Sequence, residues 1–441
     1  MHASVATVLD EIAVEHGREY AAAARQAWGE LTDDGGPEDV SQYSLQVFCW
    51  AATVRRHEDP ADRVRWVQAL SELLRRLGLH RYSEIAWGPG TRELLEAARS
   101  DADGGRSTYN RLMREAGVLP ADTEMLTWGT AHGPVEGGLI RRVADTIELA
   151  SVTGAVQPGR RTAGRDRRQV TREVLLAPSP GEPGAPVLAK VLAERAELWA
   201  GAGRSMARSS LLAPLIDRVA VARPLIDGVD LSERLARLWW LVERCKEPEP
   251  LTSAGYLKPA TVRDFVGDVG EPHGFGRGNR ESQRPDLRYT RQVAQGLSLV
   301  RRHAGELRTT KQATSTSSPA ELAPLVARRW LDRGPWDVEQ HAREAVVATL
   351  LTGPSTTDDL VATVMVVLGE MGWRGSDGSP LTAEDTYWFA LEPYRELHHV
   401  GLLADHGYSG QVSLAPGAAE LLLESVRQFL AHRDPRAYAL A

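Results

Sequence analysis

A chain of 441 residues is long enough for about three domains at ~150 residues each. Hydrophobic residues make up 42% and charged residues 25%, a balance that argues against wholesale disorder. The 52 basic and 59 acidic side chains leave a net charge of −7. That sum excludes a uniformly basic nucleic-acid coat and restricts any phosphate contact to local patches. The two cysteines, Cys49 and Cys245, stand far apart. A disulfide framework or four-thiolate zinc site is excluded, and both read as small buried residues in a reducing compartment. Met1-His2-Ala3-Ser4 carries no cationic stretch and Asp10 precedes any long apolar run, so no secretory leader is expected. Leu360 to Leu368 is the most apolar stretch, far short of the ~20 residues a membrane span needs. A cytoplasmic protein with no membrane partner is expected.

In chain order, the first third reads as helices. Val5, Val8, Leu9, Ile12, His16 and Tyr20 recur at three- and four-residue intervals, one face of an amphipathic helix, with His16 expected in the core. Asp33-Asp34-Gly35-Gly36-Pro37 breaks the chain. A second helix carries Leu45, Phe48, Cys49 and Ala52. A third opens at Asp59-Pro60 and carries Val64, Val67, Leu70, Leu73 and Leu74. The proline-rich stretch 177–186 is the best domain boundary, and a cut there should leave two soluble fragments. Glu247-Pro248-Glu249-Pro250 and Thr314 to Ser318 are further candidate boundaries. The expected pieces are a helical bundle over 1–80, a helical region over 81–178 ending in a possible winged helix, a helical connector over 187–246, and winged-helix-like domains over 250–311 and 320–441. In the connector, Leu231, Leu235, Leu238, Trp239 and Val242 form one apolar stripe.

A local pattern recurs three times: amphipathic helix, small residue, short apolar strand, turn, second strand. The first copy leads through Gly154-Ala155-Val156 and an arginine-rich loop to a return strand over 171–178. The second leads through Val300 and an Ala304-Gly305 turn to 306–311. The third leads through Gly401-Leu402-Leu403 and a turn at His406-Gly407-Tyr408-Ser409-Gly410 to 411–416. Antiparallel hairpins are therefore expected over 154–176 and 401–414. A helix followed at once by a hairpin is the C-terminal half of a winged helix. Upstream helices at Leu251 to Val266 and Asp385 to His399 supply the other half, with Pro393 bending the latter. The plainer alternative is a set of unrelated helical hairpins. The expected fold class is mainly α, multidomain, with two or three winged-helix units.

Leu251, Thr252, Gly255, Leu257 and Ala260, followed by Gly296, Leu297, Arg301, Thr310 and Lys311, resemble a module of actinobacterial proteins with no established activity. The resemblance covers about 60 residues of the chain, 251–311, and implies a winged-helix-like fold. Where that module has a shorter connection, this chain inserts Glu271 to Arg280.

Most catalytic chemistry lacks its residues. The four lysines, Lys190, Lys246, Lys258 and Lys311, never follow glycine, which removes the phosphate-binding loop that needs Gly-Lys-Ser/Thr. No lysine has glutamate two positions before it, and neither His-Glu-x-x-His nor Gly-x-Ser-x-Gly occurs. Gly274-Phe275-Gly276-Arg277-Gly278 resembles a phosphate cradle only in glycine content, since no apolar strand precedes it. His398, His399, Asp405 and His406 are close in sequence, but adjacent helical histidines point apart, and no metal is expected. No cofactor and no enzyme activity are expected either.

The arginines are the one functional signal. Between 159 and 172, six arginines face a single acid, Asp166; between 277 and 311, eight arginines and Lys311 face Glu281, Asp286 and Glu306. Arg160, Arg161, Arg165, Arg167 and Arg168 on the first loop, and Arg288, Arg291, Arg301 and Arg302 on a helix expected over 288–301 and its hairpin, are the candidate contacts to DNA or RNA. The bland alternative is a solvated arginine-rich surface. The rival function is a protein–protein docking scaffold, as a subunit of a larger assembly or a homo-oligomer, anchored by some of the twelve tryptophans. Trp50, Trp239 and Trp388 fall in apolar stripes and are expected in the core; Trp336 and Trp373 are expected at the surface.

Overall fold

The structure, a computed structural model, describes residues 4–129, 133–180, 182–270, 278–334, 337–404 and 410–433. The protein is mainly helical, with a few small antiparallel strand pairings. It divides into two compact units: residues 1–123 with 134–177, and residues 124–133 with 178–441.

In the first unit, α1 (Val5–His16) starts where the Ser4 hydroxyl accepts a hydrogen bond from the Thr7 N–H at 3.2 Å. It stops at Gly17, whose φ of +92° suits a residue without Cβ. The stripe read as one helix is therefore two, α1 and α2 (Arg18–Thr32). Val8, Leu9 and Ile12 are buried, whereas His16, expected in the core, ends α1 on the exposed side beside Glu15. Helix α3 (Gln42–Val47) runs on through a wider turn, so that Leu45, Phe48, Cys49 and Trp50 are all buried. Helix α4 (Pro60–Arg76) has proline in its first turn, and the Asp59 carboxylate accepts from the Ala61 N–H at 2.8 Å. Its buried face, Trp66, Val67, Leu70, Leu73 and Leu74, packs on α2. Each fully buried side chain of this kind contributes about 1.5–3 kcal/mol. Helices α5 (His80–Ala86), α6 (Pro89–Ser100), α7 (Ala102–Glu115), α8 (Pro134–Val152) and α9 (Ala163–Leu176) complete the unit.

Helix α9 overturns the hairpin expected over 154–176. The apolar run read as a return strand is helical because its buried residues, Thr171, Val174 and Leu175, fall at helical spacing. The Thr171 hydroxyl donates to the Arg167 carbonyl one turn back and accepts from the Ala121 N–H. The first expected copy of the repeat is absent.

The second unit opens with β1 (Pro178–Ser179) and β2 (Glu182–Pro186), paired antiparallel where an unstructured linker was expected. Prolines are tolerated there because an isolated two-strand ladder is all edge. Helices α10 (Val187–Gly201) and α11 (Met206–Leu212) follow. Next comes the series α12 (Ser232–Arg244), β3 (Glu249–Pro250), α13 (Pro259–Val269), α14 (Pro285–Gly296), β4 (Val300–His303) and β5 (Glu306–Thr309), with strand order β3-β5-β4. Glu249–Pro250, read as a boundary, is thus a strand inside this series, with the buried Glu249 carboxylate held by Thr261 and Arg244. The β4–β5 turn is Ala304 and Gly305, both left-handed at φ +50° and +80°, a geometry that suits the twist of a tight hairpin. Helix α14 ends at Gly296, so the helix expected over 288–301 stops short and its last residues enter β4.

After α15 (Pro319–Trp330), capped by Ser318, the same series returns. Its elements are α16 (Val338–Thr352), β6 (Ser355–Thr356), α17 (Thr357–Glu370), α18 (Ala383–Val400) and β7 (Gln411–Val412). Strands β6 and β7 pair, and Leu403 bridges Leu414. The turn expected at 406–410 lies outside the described residues except for Gly410. Thr382 and Asp385 form a reciprocal cap at the start of α18, which continues through Pro393 to Val400. Helix α19 (Ala418–His432) packs on α15 and α10.

The unit buries several ionic groups. The Glu344 carboxylate on α16 accepts from Arg208 Nη2 at 3.0 Å, Trp199 Nε1 at 3.2 Å and Gln340 Nε2 at 3.1 Å, while Arg208 also donates to the Trp199, Ala200 and Ala202 carbonyls. Arg195 on α10 donates to the carbonyls of Leu430, Ala431 and Thr127. Through that last bond, the Thr127 N–H to Ala431 carbonyl bond at 2.9 Å, and the contacts of His432 with Thr127 and Glu124, the 124–129 segment is part of the second unit's packing. A cut within 177–186 would leave the 124–129 segment on a different fragment from the residues it bonds. Residues 1–177 and 178–441 expressed as separate chains should co-purify, and Thr127→Pro, which removes the N–H, should weaken their association by tenfold or so on the value of one buried hydrogen bond. Two non-interacting soluble fragments would show that this segment is not held.

Candidate nucleic-acid interface

The nine arginines expected at this interface separate into those already engaged and those left open. In the first unit, Arg160 and Arg161 lie in the exposed turn before α9, and neither guanidinium has a partner among the described residues. Arg165 is exposed beside Asp166 at 3.5 Å. Arg167 donates to the Gly117 carbonyl at 3.3 Å and Arg168 to the Asp122 carbonyl at 3.2 Å. These two tie α9 to the segment that follows α7. None of the five sits on a hairpin, because the hairpin does not form.

In the second unit, Arg291 is drawn inward. Its Nε donates to the fully buried Glu281 carboxylate at 2.5 Å, and that carboxylate also accepts from the Leu257 N–H at 2.7 Å. Arg291 is thus a structural strut. Arg288 on α14 and Arg301 and Arg302 on β4 are exposed, with no carboxylate partner among the described residues. Strand β4 packs against α14. On the paired strand, Arg308 is neutralised by Glu306 at 2.6 Å.

Helix α14 is not free all round. Its other flank lies against α18, where the Tyr289 and His399 rings stack with centroids 4.7 Å apart and planes 12° apart. The Tyr289 hydroxyl lies 3.4 Å from Glu392 and 3.5 Å from Arg395. Burial, with His398 and the cations Arg237 and Arg395 nearby, pushes the His399 imidazole down to about 4. The adjacent His398 and His399 rings are nearly perpendicular at 83°; Asp405, His406 and the glycines of 274–276 lie outside the described residues. Among the described residues, no three His, Cys, Asp or Glu side chains are grouped to hold a metal ion, and no helix is long and apolar enough to cross a membrane. Cys49 and Cys245 are buried and free, and burial pushes both thiols up, Cys245 to about 12. Neither is a nucleophile at neutral pH.

Two features escaped the sequence reading. The first unit holds a cleft of about 740 Å³ lined by residues that include Glu38, Asp39, Arg81, Arg141, Asp145 and Glu148. The pair Asp145 and Glu148, three apart on α8, was the available signal. Burial, reinforced by Glu148, pushes the Asp145 carboxyl up, although Ser41 opposes the shift by hydrogen bonding. Glu148 accepts from Arg81, Tyr82 and the Gln42 N–H at 2.7–3.0 Å, so its carboxylate is committed to holding α8 against α3 and α5. The second feature is Trp388, expected in the core but 60% exposed, beside Tyr387 at 41%. Trp50 is buried and Trp239 half-buried under Lys246. Trp373, expected outside, is half-buried and donates to His341 Nδ1 at 3.1 Å; Trp336 lies outside the described residues. Comparison with protein-family models, curated proteins and solved structures returns no match to this chain.

Proposed function

We propose that this is a non-catalytic nucleic-acid-binding protein with two winged-helix units, whose contacts to phosphate come from Arg288, Arg301 and Arg302. The order helix, strand, helix, helix, hairpin, with β3 beside β5 and β5 beside β4, supports the winged-helix reading, and its return over 338–414 supports the second unit. The observation that carries the function is the set of three exposed arginines with no carboxylate partner among the described residues, on the third helix and the hairpin. A guanidinium in that state offers its full fork of donors to phosphate oxygens. Because α18 occupies one flank of α14, the helix has less than a full face to lay into a major groove about 12 Å wide. Backbone contact then dominates, and backbone contact carries no sequence information directly.

The test is fluorescence anisotropy with random-sequence duplex and single strand over a salt series. Changing Arg288, Arg301 and Arg302 together to Ala should weaken binding without lowering thermal stability, since exposed substitutions cost within ~0.5 kcal/mol. The slope of log K against log salt should become shallower by about 0.9 per lost contact on B-form duplex. Arg160→Ala with Arg161→Ala tests the first unit in the same assay. Unchanged affinity and slope in both variants would remove the nucleic-acid reading.

A further inference from the structure

The third helices of the two series occupy equivalent places but carry opposite charge. Between 375 and 394 there is no Lys or Arg, while Asp377, Glu384, Asp385 and Glu392 all fall there. Glu384, Trp388 and Glu392 stand at positions i, i+4 and i+8 of α18, which places them in one row on the helix, and all three are exposed. Tyr387 meets Trp388 edge to face, with centroids 5.5 Å apart and planes at 83°, so the two rings form one aromatic step. Asp385 is engaged in the helix cap; among the described residues Glu384 has no hydrogen-bond or ion-pair partner, and Glu392 has the Tyr289 hydroxyl alone.

The chain shows what this row accepts. The Arg395 guanidinium lies over the Trp388 ring, 5.5 Å from its centroid, which is the geometry of a cation–π contact. Even so, most of the indole stays in water. A large exposed aromatic flanked by carboxylates repels a phosphate backbone and suits a cationic side chain with an apolar stem, since the ring takes the stem and head while the carboxylates pair the charge.

We propose that the Glu384–Trp388–Glu392 row on α18 is a docking surface for an arginine- or lysine-bearing segment of a partner protein. Trp388 is its anchor, Glu384 and Glu392 supply the charge complement, and Tyr387 holds the indole in place. The two winged-helix units then divide their work, the first taking phosphate and the second taking a basic polypeptide. The site does not depend on the arginines of the first series.

The experiment uses the full chain and a fluorescein-labelled peptide of alternating Arg and Leu, with a citrulline-for-arginine version as control, read by anisotropy. Saturable binding is expected, weakened roughly tenfold or more by Trp388→Ala, similarly by Glu384→Gln with Glu392→Gln, and lost with the citrulline peptide. Arg301→Ala with Arg302→Ala should leave it unchanged. The carboxamide pair preserves shape, so it supplies the answer if removal of the indole disturbs the helix. No saturable binding to the native chain up to about 1 mM peptide, binding by the Trp388 and carboxamide variants as tight as that of the native chain, or undiminished binding of the citrulline peptide would each overturn the proposal. So would a Trp388→Ala variant that loses random-sequence single-stranded DNA instead of the peptide, which would give this face to nucleic acid.

Discussion

Glu344→Ala should lower the unfolding free energy of the second unit by about 3–5 kcal/mol, the range for removing one partner of a buried ion pair. The side chains of Glu344 and Arg208 are each 2% exposed. Without the carboxylate, the Arg208 guanidinium keeps its bonds to the Trp199, Ala200 and Ala202 carbonyls but loses the buried Glu344 carboxylate it donates to. The Trp199 indole N–H and the Gln340 amide lose an acceptor in the same step. A loss of this size is a large fraction of the 5–15 kcal/mol that holds an ordinary domain folded. Glu344→Gln, which retains an acceptor oxygen, should cost less than Glu344→Ala. Glu344→Leu combined with Arg208→Met should recover most of the deficit, because an apolar pair incurs no charge desolvation. Urea unfolding followed by tryptophan fluorescence measures all three. An unchanged midpoint in Glu344→Ala would mean that the carboxylate is not where the structure has it.

Acid should destabilise the second unit earlier than titration of its carboxylates alone would. His341, His399 and His432 are each pushed from the ordinary histidine value of 6.5 down to about 4, chiefly by burial, with nearby arginines adding to it. The geometry agrees for His341. His341 Nδ1 accepts from the Trp373 indole N–H, which a protonated ring cannot do. His432 lies between the Thr127 hydroxyl at 2.9 Å and the Glu124 carbonyl at 3.1 Å. A neutral or a protonated ring satisfies both, because a hydroxyl can accept as well as donate, and the Glu124 carbonyl opposes the shift that burial causes. The folded state therefore binds fewer protons than the unfolded chain between pH ~6.5 and ~4. The stability these groups lend is fully present above pH ~6.5 and is lost as pH falls toward ~4. Unfolding in that window should take up as many as three protons from this source, and His341→Gln should reduce the number by about one. The pH dependence of the urea midpoint, corrected by its m value, gives the count directly. A midpoint flat from pH 6.5 to 5 would refute the assignment.

Local signals carried the helix starts. Asp59-Pro60, Ser318-Pro319 and Thr382 with Asp385 each settle their own backbone N–H groups within three residues, so the sequence contains the whole interaction. The 163–176 region was misread because seven apolar-rich residues satisfy a short strand and two helical turns equally well, and the Thr171–Ala121 bond that favours the helix is 50 residues away. The candidate interface was legible as composition and illegible as geometry. Counting arginines could not tell Arg301, which is open to solvent, from Arg291, which is locked on Glu281 ten residues back. Trp388 failed for a similar reason. Its neighbours Ala390, Leu391 and Leu397 are buried, and the stripe they define passes beside position 388 without including it.

The 124–129 segment sets a timetable for synthesis. Thr127 leaves the ribosome among residues that belong to the first unit, yet its hydroxyl waits for a histidine 305 residues later. At 5–20 residues per second that interval is roughly 15–60 s. Residues 134–177 emerge early in that interval, so the first unit can fold with the segment still looped out and wet. Leu126 in the same segment is fully buried in the finished protein. The finished protein closes over a stretch of its own chain that is among the earlier parts made and the last secured, and a nascent chain stalled before residue 431 would display it to any passing chaperone.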